Sequence, residues 1–127
     1  MKKRILIIDD EEQIRKMLSL MLTNEGYDVE VASNGNEGIL CYQKHPADLI
    51  MIDIIMPEKE GIETIRELIK DYPSVKIIAM SGGGRVDPDA YLHLAKYMGA
   101  SKCFSKPIDK PVLLQAIQEL LKSDANM

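Results

Sequence analysis

Carboxylates follow two short apolar runs in this chain. Residues 5–8 are Ile and Leu and precede Asp9 and Asp10, while residues 49–52 are Leu, Ile and Met and precede Asp53. Such runs are typical of strands buried on both faces of a parallel sheet. Ligands of open α/β sheets bind beyond the carboxyl ends of the strands. The three aspartates therefore occupy positions that favour a binding site.

Two further polar residues follow predicted strands later in the chain. Ser81 follows the largely apolar segment 75–80, and Lys106 follows the short segment 101–105. A hydroxyl donor and an ammonium group are suited to holding phosphoryl oxygens. The same strand-end position therefore recurs with residues of complementary chemistry.

These five residues together predict a phosphoryl-transfer site. Neighbouring carboxylates repel one another in a partly dry site and need a counter-charge. Aspartates with no His or Cys beside them suit Mg²⁺, with Mn²⁺ as a second possibility. With the metal on one side and Ser81 and Lys106 on the other, Asp53 is predicted to be the nucleophile that forms an aspartyl-phosphate.

Each residue also has an ordinary structural explanation when taken alone. An Asp pair after a strand often caps a helix, a Ser before glycines is usually a turn residue, and a Lys-Pro step is usually solvated surface. Asp53 as a helix cap is disfavoured because Pro57 and Gly61 delay the next helix. The combination, with each residue at a predicted strand end, favours the site.

The rest of the chain alternates strands with helices. Strands are predicted at 4–8, 28–32, 48–52, 75–80 and 101–105, and helices at about 14–22, 36–44, 61–70, 87–98 and 111–121. This alternation predicts βαβ units around a parallel sheet. The fold class expected is α/β, a flavodoxin-like (βα)5 three-layer sandwich with a central five-stranded sheet in the order 2-1-3-4-5.

Size and composition indicate one globular domain. The chain has 127 residues, of which 46% are hydrophobic and 28% are charged, and residues 1–122 are expected to form the domain, with 123–127 as a C-terminal tail. A net charge of −4 argues against a broad nucleic-acid-binding surface. No run is long enough for membrane insertion, and two separated cysteines suggest neither a disulfide framework nor a zinc site. A cytoplasmic protein is expected.

Four segments resemble the receiver domain of two-component response regulators. They are Ile-Leu-Ile-Ile-Asp-Asp-Glu-Glu, Asp-Leu-Ile-Met-Ile-Asp-Ile-Ile-Met-Pro-Glu-Lys-Glu-Gly, Ile-Ile-Ala-Met-Ser-Gly and Phe-Ser-Lys-Pro-Ile. The resemblance covers residues 3–122. It implies a signalling switch, not an enzyme with a separate substrate, that catalyses only its own Mg²⁺-dependent phosphorylation and dephosphorylation.

The resemblance also implies a role for each matching acidic position. Asp53 matches the phosphoacceptor and Asp10 the direct Mg²⁺ ligand. Asp9 matches the carboxylate that acts mainly through water, and the backbone carbonyl of Ile55 matches a further metal ligand. The expected phosphoryl donor is a sensor histidine kinase or a histidine phosphotransfer protein.

Ser81 and Lys106 are assigned to the switch in the same way. Ser81 matches the hydroxyl that moves toward the phosphoryl group, and Lys106 matches the lysine of the family, followed by a cis bond to Pro107. Phosphorylation would shift an existing equilibrium and repack the face formed by the fourth helix, fifth strand and fifth helix, for an unknown protein target. A stand-alone receiver is expected if the sequence is the full protein, and a DNA-binding or enzyme output domain is the alternative if it is part of a longer chain.

Two positions depart from the family pattern. Cys103 stands where an aromatic switch residue is usual, and Phe104 beside it is predicted to point to the opposite face of the sheet. Ile55, two residues after Asp53, offers no polar group to orient an attacking water. A long-lived phosphorylated state is therefore expected.

Three other functions fit the same residues less well. A receiver-like interaction module that works without phosphorylation is the main alternative, although every charged site position is intact. A flavodoxin-like electron carrier would have Asp9 and Asp10 repelling its phosphate. A phosphatase with an aspartate nucleophile typically needs a second Asp at the position of Ile55.

Overall fold

The central feature of the structure is a five-stranded parallel sheet. The computed structural model describes residues 2–54, 61–81, 93, 96–97 and 99–125. The strands are β1 (Arg4–Ile8), β2 (Asp28–Ala32), β3 (Leu49–Asp53), β4 (Ile77–Ser81) and β5 (Lys102–Ser105). Their order is β2-β1-β3-β4-β5, with every pair parallel. The predicted α/β fold and strand order are confirmed.

Four helices are described around this sheet. They are α1 (Glu12–Asn24), α2 (Gly35–Lys44), α3 (Gly61–Asp71) and the C-terminal helix (Lys110–Ala125). The predicted fourth helix lies largely outside the described residues, of which 93, 96 and 97 are helical. The C-terminal helix runs to Ala125, three residues into the segment predicted as a tail. The peptide bond between Lys106 and Pro107 is cis.

The alternation of side chains along the strands divides the core into two layers. On one face, Leu6 and Ile50 belong to a buried cluster that also contains residues of α2 and α3. On the other face, Ile5 and Met51 belong to a cluster with residues of α1 and the C-terminal helix. Because helices cover both faces, the central strands β1, β3 and β4 are apolar along most of their length, whereas the edge strands β2 and β5 carry polar residues. The polar residues of the central strands lie at the strand ends.

Helix α1 ends as its glycine predicts. Gly26 has a φ of 93°, a conformation that costs glycine little. Its N–H donates to the carbonyl of Thr23 at 3.0 Å, and the N–H of Tyr27 donates to Leu22 at 3.1 Å. This is the paired hydrogen-bond pattern of a Schellman motif. The chain therefore turns directly from α1 into β2.

Among the described residues, no helix combines the length and the apolar character that a bilayer crossing requires.

Candidate functional site

The polar residues predicted to share a site lie at one edge of the sheet. Hydrogen bonds extend the strand pairing past the strand ends, from the N–H of Asp9 to Ala32 at 3.1 Å and from the N–H of Lys106 to Ser81 at 2.7 Å. Asp53 is the last residue of β3 and pairs in register with Met80 of β4. The carboxyl edge thus carries residues from β1, β3, β4 and β5.

Lys106 is the centre of this edge. Its Nζ lies 2.9 Å from Oδ2 of Asp9, 3.2 Å from Oδ2 of Asp53 and 3.2 Å from Oε1 of Glu11. An ammonium group has three donors, and three carboxylates lie within hydrogen-bonding distance of this one. The side chain of Lys106 is only 13% exposed, so these carboxylates replace most of its contact with water.

Burial shifts the pKa values of charged groups in this cluster. Asp9 is fully buried, and burial raises the pKa of its carboxyl group despite the opposing effects of the Glu11 N–H and of Lys106. Burial alone would lower the pKa of Lys106. The hydrogen bond to Asp9 and the charges of Asp53 and Asp9 outweigh that effect, so the pKa of Lys106 is raised. The lysine is therefore a cation at neutral pH, in an edge that carries excess negative charge.

The start of α1 holds Asp9 in place. The N–H of Glu11 donates to Oδ1 of Asp9 at 2.9 Å, and Nη1 of Arg15 donates to the backbone carbonyl of Asp9 at 2.8 Å. Asp9 thus has one carboxylate oxygen on the helix start and the other on Lys106. A residue fixed from both sides keeps its orientation when the rest of the site changes.

The backbone around Asp53 is fixed by the first residue of α3. The N–H of Gly61 donates to the carbonyl of Ile54 at 3.1 Å. A Cβ at position 61 would collide with the backbone of Asp53 and Ile54, so only glycine allows this approach. Helix α3 begins eight positions after Asp53, which excludes Asp53 as its N-cap. Asp53 therefore does not cap α3, and its carboxylate lies at the sheet edge within 3.2 Å of Lys106.

Ser81 contributes a buried hydroxyl at the end of β4. The residue is fully buried, and within the described part of the chain its Oγ has no hydrogen-bond partner. An unpaired buried hydroxyl is costly unless a partner is supplied. It lies beside β3, whose last residue is Asp53. A phosphoryl oxygen is a partner that would satisfy it.

The acidic residues fit a hard divalent cation. Carboxylate oxygens of Asp9, Asp10, Glu11 and Asp53 all lie within 4.8 Å of one another. Opposite ligands of Mg²⁺ are about 4.2 Å apart, at twice its usual bond length. The set offers oxygen only and includes the exposed Asp10, through which solvent reaches it. Ile55, predicted to add a carbonyl ligand, lies outside the described residues.

Glu11 is a site residue that the sequence analysis missed. The sequence signal was its place directly after Asp9 and Asp10. Glu12 follows with the same chemistry, however, and in the structure it pairs with Lys16 at 3.2 Å on the surface of α1. Only the start of the helix decides which of the two glutamates faces Lys106.

Cys103 and Phe104 lie on opposite faces of the sheet, as strand alternation predicted. Cys103 packs against the cluster that contains α2 and α3 residues, and Phe104 packs against the cluster with α1 and the C-terminal helix. Burial raises the pKa of the Cys103 thiol. The position usual for an aromatic switch residue therefore holds a small, largely protonated side chain.

Comparisons with known proteins agree with this geometry. The chain matches the family model of the response regulator receiver domain over residues 5–118. It is 36% identical to the chemotaxis protein CheY of Thermotoga maritima over 123 residues, which cover 96% of this chain and 100% of that protein. It is 35% identical to the transcriptional regulatory protein GlrR of Escherichia coli K12 over 121 residues, which cover 95% of this chain but only 27% of that regulator.

A solved structure has the same fold over nearly its whole length. It is the crystal structure of a CheY-like response regulator receiver domain protein from Methanospirillum hungatei JF-1, with a TM-score of 0.88 and 30% identity, covering 99% of this chain and 98% of that one. Receiver domains bind Mg²⁺ at an acidic pocket and take phosphate from histidine kinases. The chain belongs to the response regulator receiver domain family of two-component systems.

Proposed function

We propose that this chain is a Mg²⁺-dependent phosphoryl acceptor, with Asp53 as the nucleophile. The observation that carries the proposal is the pairing of Asp53 with Lys106 at 3.2 Å, together with the acidic cluster and with the buried Ser81 hydroxyl, which has no hydrogen-bond partner among the described residues. A sensor histidine kinase or a histidine phosphotransfer protein would supply the phosphoryl group. A carboxylate oxygen of Asp53 attacks phosphorus, the P–N bond to the donor imidazole breaks, and the imidazole nitrogen keeps the electron pair.

The residues of the chain divide this task among them. Lys106 neutralises charge on the carboxylate and on the arriving phosphoryl oxygens, and the Ser81 hydroxyl donates to one of those oxygens. Asp9, Asp10 and Asp53 would hold Mg²⁺ or Mn²⁺, together with the carbonyl of Ile55. The metal, when bound, supplies further charge neutralisation. Catalysis is limited to the chain's own phosphorylation and dephosphorylation.

The proposed output is a change of surface. Ser81 and Cys103 lie at the end of β4 and within β5, so movement of the serine toward a phosphoryl group would reach the β5 edge. The face formed by the predicted fourth helix, β5 and the C-terminal helix would then bind a downstream protein in the cytoplasm. Direct contact with nucleic acid or a membrane is not part of this proposal.

Acetyl phosphate provides the direct test of the acceptor. We expect intact-mass spectrometry to show one added phosphoryl group with Mg²⁺ and none with EDTA. Asp53→Asn should abolish the addition, because the nucleophile is lost. Asp28→Asn is the matched control, since it removes an exposed carboxylate at the opposite end of the sheet. Absence of the added mass from the wild-type protein under every condition would refute the proposal and favour a phosphorylation-independent interaction module.

The lifetime of the aspartyl-phosphate depends on the residue two positions after Asp53. Ile55 offers no group to orient water, so Ile55→Asn should shorten the half-life of the phosphorylated protein. Decay after removal of acetyl phosphate, followed by intact mass, measures this. An unchanged half-life would count against the role given to Ile55.

A further inference from the structure

Glu11 has a side chain whose position is not explained by helix capping. It is the N-cap residue of α1, yet its side chain makes no capping hydrogen bond. Its carboxylate instead lies 3.2 Å from Nζ of Lys106, a residue 95 positions later in the chain. Its neighbour Glu12 carries the same group and pairs on the surface with Lys16. Of these two neighbouring glutamates, only Glu11 contacts Lys106.

The three carboxylates around Lys106 differ in how readily they can leave it. The side chain of Asp9 is fully buried and that of Asp53 is 7% exposed, whereas that of Glu11 is 58% exposed. A carboxylate that leaves the lysine must be solvated by water to avoid a desolvation penalty. Glu11 can turn into solvent, while Asp9 cannot and Asp53 is the nucleophile itself.

A phosphoryl group on Asp53 would need one donor of Lys106. All three donors have a carboxylate within hydrogen-bonding distance in this structure, so one carboxylate must give way. We propose that Glu11 is a positioning residue that occupies this donor in the resting protein, slows phosphorylation of Asp53 and yields its place to a phosphoryl oxygen. The inference rests on the proposed function of Asp53.

The experiment compares three variants at saturating Mg²⁺. Glu11→Gln removes the charge, Glu11→Asp keeps the charge but shortens the side chain by one methylene, and Glu12→Gln is the control with the same charge change one residue later. The pseudo-first-order rate of phosphorylation by acetyl phosphate is followed by intact mass. An exposed ion pair contributes little, so we expect Glu11→Gln and Glu11→Asp to react about two- to fivefold faster than wild type. Glu12→Gln should match wild type.

A spectroscopic measurement separates this role from a general change of structure. The side-chain ¹³Cε and ¹⁵Nζ resonances of Lys106 should shift in Glu11→Gln and in Glu11→Asp, but not in Glu12→Gln. Such a shift reports the environment of one ammonium group, which a distant structural effect would leave unchanged.

The outcomes distinguish this inference from the proposed function. Equal rates in wild type and all three variants, with normal phosphorylation, would overturn the role of Glu11 and leave the acceptor site intact. Equal acceleration in Glu11→Gln and Glu12→Gln, with Glu11→Asp at the wild-type rate, would also overturn it, because the loss of one negative charge and not the contact with Lys106 would then be responsible. Absence of phosphorylation in every protein would refute the proposed function itself.

Discussion

The two ends of the sheet each gather three carboxylates around one basic residue. At the amino end, the guanidinium of Arg4 pairs with Asp28 and Glu30, and its backbone N–H donates to Asp48 at 2.7 Å. At the carboxyl end, Lys106 pairs with Asp9, Glu11 and Asp53. The residue types are nearly the same, so composition alone does not distinguish a structural ion cluster from a functional one.

Burial is what separates the two clusters. The side chains at the amino end are 24% exposed for Arg4, 56% for Asp28 and 32% for Glu30, so water solvates their excess charge. At the carboxyl end Asp9 is fully buried and Asp53 nearly so. Neighbouring carboxylates that are shielded from water are stabilised when they bind a cation or a proton. The carboxyl end, where Asp9 and Asp53 are shielded from solvent, is therefore the end that is suited to a metal ion and a phosphoryl group.

The largest expected difference between the two ends is the loss of stability when the basic residue of each cluster is removed. Lys106→Met leaves Asp9 and Asp53 buried without their cation and should lower the free energy of unfolding by about 3 kcal/mol. Arg4→Met leaves carboxylates that water can reach and should cost about 1 kcal/mol or less. Urea denaturation at neutral pH in EDTA measures both. Similar losses at the two ends would mean that burial is not the deciding difference.

Mg²⁺ should stabilise the protein through one end only. At ten times its dissociation constant, a ligand of the native state adds about 1.4 kcal/mol to the free energy of unfolding. Asp10→Asn should remove most of this gain because it deletes a carboxylate of the acidic cluster. Asp28→Asn should retain it. Urea denaturation with Mg²⁺ and with EDTA tests this prediction. If Asp28→Asn lost the gain and Asp10→Asn kept it, the ion would bind at the amino end of the sheet, contrary to the proposed site.

The smallest expected effect is on the pH dependence of stability in EDTA. The pKa of Asp9 is raised above its ordinary value of 3.8, so the native state binds this proton more tightly than the unfolded state does. The stability due to Asp9 is thus present below the ordinary pKa and is lost as pH rises through the raised one. Asp9→Asn should therefore gain stability relative to wild type over the pH range above 3.8, where the wild-type carboxyl group must lose its proton in a buried position.

Urea midpoints across that pH range would measure the gain, and Asp28→Asn should follow the wild-type profile. A wild-type profile in Asp9→Asn as well would show that burial of Asp9 carries no pH-dependent cost.

Sequence reasoning located the strands closely because the central strands are mostly apolar runs and the edge strand β2 alternates polar and apolar residues. Strands β1 and β2 begin and end at the predicted residues. Strand β4 begins at Ile77 and not at residue 75, because the N–H of Val75 donates to Tyr72 in a turn that includes Pro73. Val75 is β-branched and therefore favours a strand in sequence-based prediction. The backbone hydrogen bond that places it in a turn cannot be read from the sequence.

Sequence reasoning was less complete for the acidic site. It named Asp9, Asp10 and Asp53 but not Glu11, because consecutive acidic residues carry no sign of which one turns toward the lysine. It placed Ser81 at the end of β4, where the structure has it, but it could not foresee that the hydroxyl is buried without a partner among the described residues.

The sequence by itself determined the five strands, their parallel order and the chemistry at their carboxyl ends, because apolar runs and the residues that end them are local properties of the chain. Only the tertiary structure decided that Lys106 reaches Asp9 across 97 positions, that Glu11 joins them, and that Asp9 loses all contact with water. Those features depend on how helices and loops from distant parts of the chain pack over one sheet edge, and desolvation is a property of that packing and not of any residue alone.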